Sequence, residues 1–120
     1  MKRALDDLIH EIVQFRDERD WKQFHTPKDL AAAIAIESSE LQERFLWKSE
    51  AQIAADLADS AKRQKVVDEL ADILIFALSL ADRLDVDVEQ AVRQKLAENA
   101  LKYPVARSKG TAAKYTELQK

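Results

Sequence analysis

The sequence predicts an all-α protein folded as an antiparallel four-helix bundle with short connections. Three observations carry that expectation. The 120 residues include one glycine, Gly110, and two prolines, Pro27 and Pro104, too few for the turns of a sandwich or barrel. Nineteen alanines, fourteen leucines and 34% charged residues are a helix-forming composition. Apolar residues recur at helical spacing in four separate segments.

The first helix is expected from about Ala4 to Arg19, with Leu5, Leu8, Ile9, Ile12 and Phe15 on one stripe. The segment DWKQFH interrupts the pattern. Thr26-Pro27-Lys28-Asp29 then reads as an N-cap, a proline at the first helical position and an acid closing a capping box. This second helix should reach Trp47. The segment 49–60 is weaker and fits one short helix in a connection. A third helix is expected from Ala61 to Leu84, and its stretch LADILIFALSLA is apolar on nearly every side. A helix of that kind lies centrally or in a subunit interface, so a homodimer or a homotetramer (a dimer of dimers) is expected. Asp87 caps a fourth helix, with Gln90 as its box partner, ending near Tyr103 before Pro104. Residues 105–120 are polar and hold the single glycine, and are expected to form an extended tail or docking arm that bends at Gly110 to place Tyr115 against a neighbour.

Composition also excludes function classes. No cysteine means no disulfide framework, no thiol catalysis and no cysteine-ligated zinc. The start, MKRALDDLIHEI, has acids where a signal peptide needs an apolar run, so a cytoplasmic protein is expected. The apolar stretch at residues 72–81 is too short to span a bilayer, and no membrane is expected. A net charge of −3 with interspersed signs gives no nucleic-acid footprint. A glycine-rich phosphate loop is excluded by the single glycine.

Four acids stand out. Glu37 with Glu40, and Glu69 with Asp72, are spaced for one helical face each. At about 100° per residue, Glu37 lies beside the stripe of Leu30, Ile34, Leu41 and Phe45. Glu40 shares an edge with Ala33 and Trp47. Glu69 and Asp72 share their face with Phe76 and Leu80. Four acids on inward faces repel one another and resist desolvation, so their pKa values rise or a cation neutralises them. An oxygen-only set with four negative charges suits Mg²⁺, with Mn²⁺ as a substitute. Magnesium commonly shares its shell with substrate phosphates, which points to metal-assisted phosphate hydrolysis. The same residues also fit an interhelical salt-bridge network with Lys65, Arg44 or Lys95, and periodicity does not choose between the two readings.

The spacing Glu37-x-x-Glu40, 28 intervening residues, then Glu69-x-x-Asp72 resembles the metal motif of the MazG-like all-α nucleoside triphosphate pyrophosphatases. The resemblance is greatest to the dCTP pyrophosphatase branch, and continues through ERDWKQFH, ESSELQERFLWK, DELADILIF, KLAENALKYP and KYTEL in order along most of the chain. It implies that residues 1–104 form the catalytic domain. Glu37, Glu40, Glu69 and Asp72 would bind Mg²⁺ and carry catalysis, one of them orienting the water. The family hydrolyses the α–β anhydride of a nucleoside triphosphate to the monophosphate and pyrophosphate. The metal would polarise the phosphates and help generate the attacking hydroxide. Trp21, Lys22, Gln23, Phe24 and His25 match the substrate-binding loop, and Trp47 and Phe76 match further positions around the base. Lys95, Asn99 and Lys102, at i, i+4 and i+7 of the fourth helix, match a patterned stretch suited to phosphates.

The residues themselves support two of these roles. Trp21 and Phe24 sit in a polar break, where large rings need something to cover, and rings of this kind stack on nucleobases. The ordinary alternative for a helical-protein tryptophan is core or interface. Two departures from the dCTP branch occur: Ile12 replaces a histidine and Phe76 replaces a tyrosine, whereas Ile36, where MazG proper often has another Glu, places the chain nearer the dCTP branch. The first two changes remove polar readout of the base and leave its identity open. Two other motifs fail. His10-Glu11 lacks a second histidine because Gln14 stands there, and Asp7-x-x-His10 is single where a di-iron bundle needs two Glu-x-x-His repeats. The rival from another class is a noncatalytic helical interaction module, in which the acids form a salt-bridge network and the apolar helix an oligomer interface.

Overall fold

A computed structural model describes residues 4–118. Residues 1–3 and 119–120, at the ends of the expected domain and tail, lie outside it. Among the described residues there are seven helices and no strand: α1 (Ala4–Glu18), α2 (Pro27–Glu43), α3 (Glu50–Ala58), α4 (Ser60–Arg83), α5 (Val88–Lys102), α6 (Val105–Ser108) and α7 (Tyr115–Leu118). The all-α expectation holds.

The chain divides into two compact units, one ending at Val86 and one beginning at Asp87. This division groups α5 with the tail, whereas the sequence placed it with the preceding helices. In the first unit α4 is the central rod, and α1, α2 and α3 all pack on it. That position is the one its all-round apolar sequence requires. Leu30 of α2 (1% exposed) and Leu78 of α4 are the buried apolar centre.

Local chemistry starts the helices. The Thr26 hydroxyl accepts from the Asp29 N–H with Pro27 next to it, as expected. Ser49 and Gln52 form a full capping box at α3, which the sequence reading missed. Asp59 accepts from the Ala61 and Lys62 N–H groups at the start of α4, and Asp87 from Gln90 N–H at α5.

Helix ends show how a chain with one glycine turns. After α1, the Trp21 N–H donates to the Arg16 carbonyl and the Asp20 N–H to that of Asp17, with Asp20 at φ 54°. After α4, the Val86 N–H donates to the Ala81 carbonyl and the Asp85 N–H to that of Asp82, with Asp85 at φ 54°. Both are Schellman closures in which aspartate takes the left-handed position that glycine usually fills.

α2 ends at Glu43, one turn earlier than expected. Residues 44–47 form turns, and Trp47 has φ 63°. Ser49 must be extended to cap α3, so the chain leaves the helix before Trp47 can join its face.

In the second unit the tail is not extended. It carries α6 and α7, and Tyr115 packs on Tyr103 of its own chain, edge to face at 6.2 Å, rather than reaching away. Lys102 Nζ sits 5.1 Å from the Tyr115 ring. Gly110, at φ 80° with open space around it, makes the bend between the two short helices.

Candidate active site

Glu37 and Glu40 project from α2 and Glu69 from α4. Each can offer one carboxylate oxygen such that all three lie within 4.8 Å of one another. The pairing of α2 with α4 is what brings the two sequence motifs together. Oxygens this close from three acids are compatible with one divalent ion. One Glu37 carboxylate oxygen is buried without a hydrogen-bond partner among the described residues. A buried, unpaired anionic oxygen is costly unless a proton or a cation meets it. Accordingly, the Glu37 pKa is pushed up to about 7. Burial is the main cause, followed by a hydrogen bond with Glu40 and then the charges of Glu40, Asp72 and Glu69. The donor set and the orphaned oxygen fit a hard divalent cation.

Asp72, one turn beyond Glu69 on α4, is not among the three converging acids, yet its charge acts on Glu37. It instead lines a neighbouring cavity of about 240 Å³. The cavity is walled mainly by rings and aliphatic groups. Phe15 and Trp21 meet edge on at 5.9 Å, Trp21 and His25 lie 5.9 Å apart, and His25 and Phe76 lie 6.4 Å apart. Ile12 and Ile75 complete the apolar lining. Trp21 reaches the cavity because the Schellman closure on Arg16 turns the chain there. His25 Nδ1 is buried without a partner, and burial, with the Arg16 charge, holds the imidazole below its ordinary pKa. It is therefore a neutral ring at pH 7.

The cavity also holds two polar groups that the sequence reading passed over. Arg16 is 4% exposed and Ser79 3%. The Arg16 guanidinium donates to Asp17 at 2.9 Å and to Asp82 of α4 at 3.0 Å. Its sequence signal was available: Arg16 lies four residues after Ile12, on the apolar stripe of α1, where a cation is out of place.

Lys22, Gln23 and Phe24 are exposed, and the Gln23 amide donates to Asp20. Trp47 is 92% exposed, beyond the end of α2, so it does not extend the Glu40 face as the sequence suggested. Lys95 pairs with Glu98 at 3.2 Å, and the Asn99 carbonyl accepts from the Tyr103 N–H. These, with Lys102, belong to the second unit. Of the cations suggested for a salt-bridge network, Arg44 does pair with Glu69, at 3.1 Å. With Glu40, Glu43 and Glu69 it lines a polar recess of about 450 Å³.

Known proteins resemble the chain in sequence and in fold. Residues 32–118 match the model of the MazG-like family. The chain is 41% identical to dCTP pyrophosphatase 1 of Rattus norvegicus over 115 residues, covering 96% of this chain and 68% of the relative. Identity to dCTP pyrophosphatase 1 of Homo sapiens is 37% over the same coverage. A crystal structure of a pyrophosphatase from Archaeoglobus fulgidus superposes with a TM-score of 0.80 at 36% identity, covering 87% of this chain and 95% of that one. The family match spans all four acids, Glu37, Glu40, Glu69 and Asp72, and the chain belongs to the MazG-like family.

Proposed function

We propose that this protein is a divalent-metal-dependent nucleoside triphosphate pyrophosphohydrolase. It cleaves the α–β anhydride of a dNTP, with dCTP-like substrates preferred, to the monophosphate and pyrophosphate. The observation that carries the reading is the convergence of Glu37, Glu40 and Glu69 within 4.8 Å, with Asp72, whose charge acts on Glu37, lining a cavity walled by rings. The names of the relatives and the family match support the same chemistry.

Glu37, Glu40, Glu69 and Asp72 would hold the ion, Mg²⁺ or Mn²⁺ in its place. When bound, it supplies charge neutralisation at the phosphates and acidifies water. The carboxylates would place that ion at the α2–α4 seam, where it would meet the otherwise repelled phosphates, and one of them accepts the proton of the attacking water. As water adds, the anhydride bond breaks and its electron pair leaves with pyrophosphate. Trp21, His25 and Phe76 stack on the base and exclude water from it. Lys22, Gln23 and Phe24, in the turn after α1, and Trp47, in the turns after α2, are proposed substrate contacts, and Lys95, Asn99 and Lys102 of the second unit are phosphate candidates by the family resemblance alone. On this reading residues 1–104 are the catalytic domain and 105–120 a docking arm.

A cytoplasmic housekeeping role in the nucleotide pool follows, with neither nucleic acid nor membrane as partner. No helix among the described residues is long and apolar enough to cross a membrane. A homodimer or homotetramer accounts for Leu70 and Leu74 of the central helix being about half exposed. The competing noncatalytic module draws on the Arg44–Glu69 pair. Pyrophosphate release from a panel of canonical and modified dNTPs and NTPs, with and without Mg²⁺, decides between them. The proposed enzyme releases it only with metal, and absence of release from every nucleotide refutes the proposal.

A further inference from the structure

The face of α4 toward the cavity reads Asp72, Phe76, Ser79, at i, i+4 and i+7. Asp72 to Ser79 is about 10 Å along the helix. The acids stand at one end of this run, and the two buried polar groups, Ser79 and Arg16, at the other. Buried guanidinium in an otherwise apolar cavity is costly unless its donors are used. Arg16 has five N–H donors. Its recorded partners are Asp17, through Nε and Nη2, and Asp82, through Nη1. That leaves a second N–H on each terminal nitrogen. Asp17 and Asp82 also fix the plane of the fork, because both hold it by hydrogen bonds from different elements.

We infer that Arg16 is a specificity-determining residue, whose guanidinium reads the edge of the base held between Trp21 and Phe76. This rests on the pyrophosphohydrolase reading and deepens it. A planar pair of donors selects a base edge with two adjacent acceptors. Among pyrimidines cytosine has one, at N3 and O2. Uracil and thymine carry a donor at N3, which opposes the fork. Adenine offers no adjacent acceptor pair. The Ser79 hydroxyl both donates and accepts, so it tolerates any base and adds no discrimination of its own. Arg16 thereby supplies the polar readout that Ile12 and Phe76 cannot.

The test measures kcat/KM for pyrophosphate release by the full chain with Mg²⁺, using dCTP, dUTP, N3-methyl-dCTP, dATP and dGTP. The wild type should favour dCTP over dUTP and over N3-methyl-dCTP by roughly tenfold or more. Arg16→Lys keeps the charge and loses the fork, and should compress the dCTP/dUTP ratio toward unity. A merely structural Arg16 would lower all substrates together and leave that ratio unchanged, which overturns the inference. Equal wild-type turnover of dCTP and N3-methyl-dCTP also overturns it, and needs no variant to fold. A preference for dGTP, whose O6 and N7 are also adjacent acceptors, overturns the assignment to cytosine. No release from any nucleotide sinks the enzymatic reading itself, a different result from release without base preference.

Discussion

Metal binding at the acid cluster should expel a proton, and the amount is set by Glu37. Its carboxyl, buried and beside Glu40, Asp72 and Glu69, has a pKa of about 7 without metal. A divalent ion requires the carboxylate. The protonated fraction is therefore about 0.9 at pH 6, about 0.5 at pH 7 and about 0.1 at pH 8, and the same number of protons leaves per ion bound. Apparent affinity rises roughly fivefold from pH 6 to 7 and about twofold from 7 to 8. Calorimetric titration with Mg²⁺ or Mn²⁺, in two buffers of different protonation enthalpy, reads the proton count directly. The metal-free protein gives the complementary sign. The folded pKa lies above the ordinary 4.5, so the native state binds more protons between pH 4.5 and 7. Metal-free stability should fall as pH rises through that window and level off above it. Glu37→Gln should flatten both profiles and melt higher than wild type at pH 8 without metal. Proton release near zero at pH 6, or an unchanged profile in Glu37→Gln, would refute the account.

Glu40→Gln and Asp72→Asn should each lower pyrophosphate release at least about 100-fold, while circular dichroism and melting remain close to wild type, since both side chains are exposed. Full activity in both would remove them from the site. Leu30→Ala should cost about 2–5 kcal/mol, because Leu30 is the most buried apolar side chain described, and chemical denaturation would measure it. Asp82→Asn should destabilise by roughly 1–2 kcal/mol, as Arg16 keeps its charge in the interior with one anionic partner fewer. Light scattering should give a dimer or tetramer; a stable monomer would exclude the oligomer.

What the sequence revealed followed from periodicity and spacing. Glu37, Glu40 and Glu69 converge because three-residue spacing on two paired helices leaves them little choice. The central place of α4 was written in its all-round apolar face. The end of α2 was not legible, because the apolar pattern runs on to Trp47 while the capping need of Ser49 stops the helix first. The ends of α1 and α4 were legible to within one residue, because the apolar pattern breaks there even though aspartate, at Asp20 and Asp85, takes the left-handed position that glycine usually marks. Arg16 carried a signal in its place on the apolar stripe of α1, but only the packing of α1 on α4 supplies Asp82 as its partner. Arg44 was named as a partner for the acids, but only packing could select Glu69 for it.

The run of Glu69, Asp72, Phe76 and Ser79 along α4 has an evolutionary consequence. On the proposed reading, reaction chemistry and base recognition would occupy successive turns of this one helix. Substitutions at residues 76 and 79, or at residue 16, which line the same cavity, would then retune which base is accepted without disturbing the acids. A single insertion or deletion between 69 and 79 would rotate one group about 100° away from the other. Such a lineage is free to drift in substrate choice by point substitution and is closed to length change in this helix.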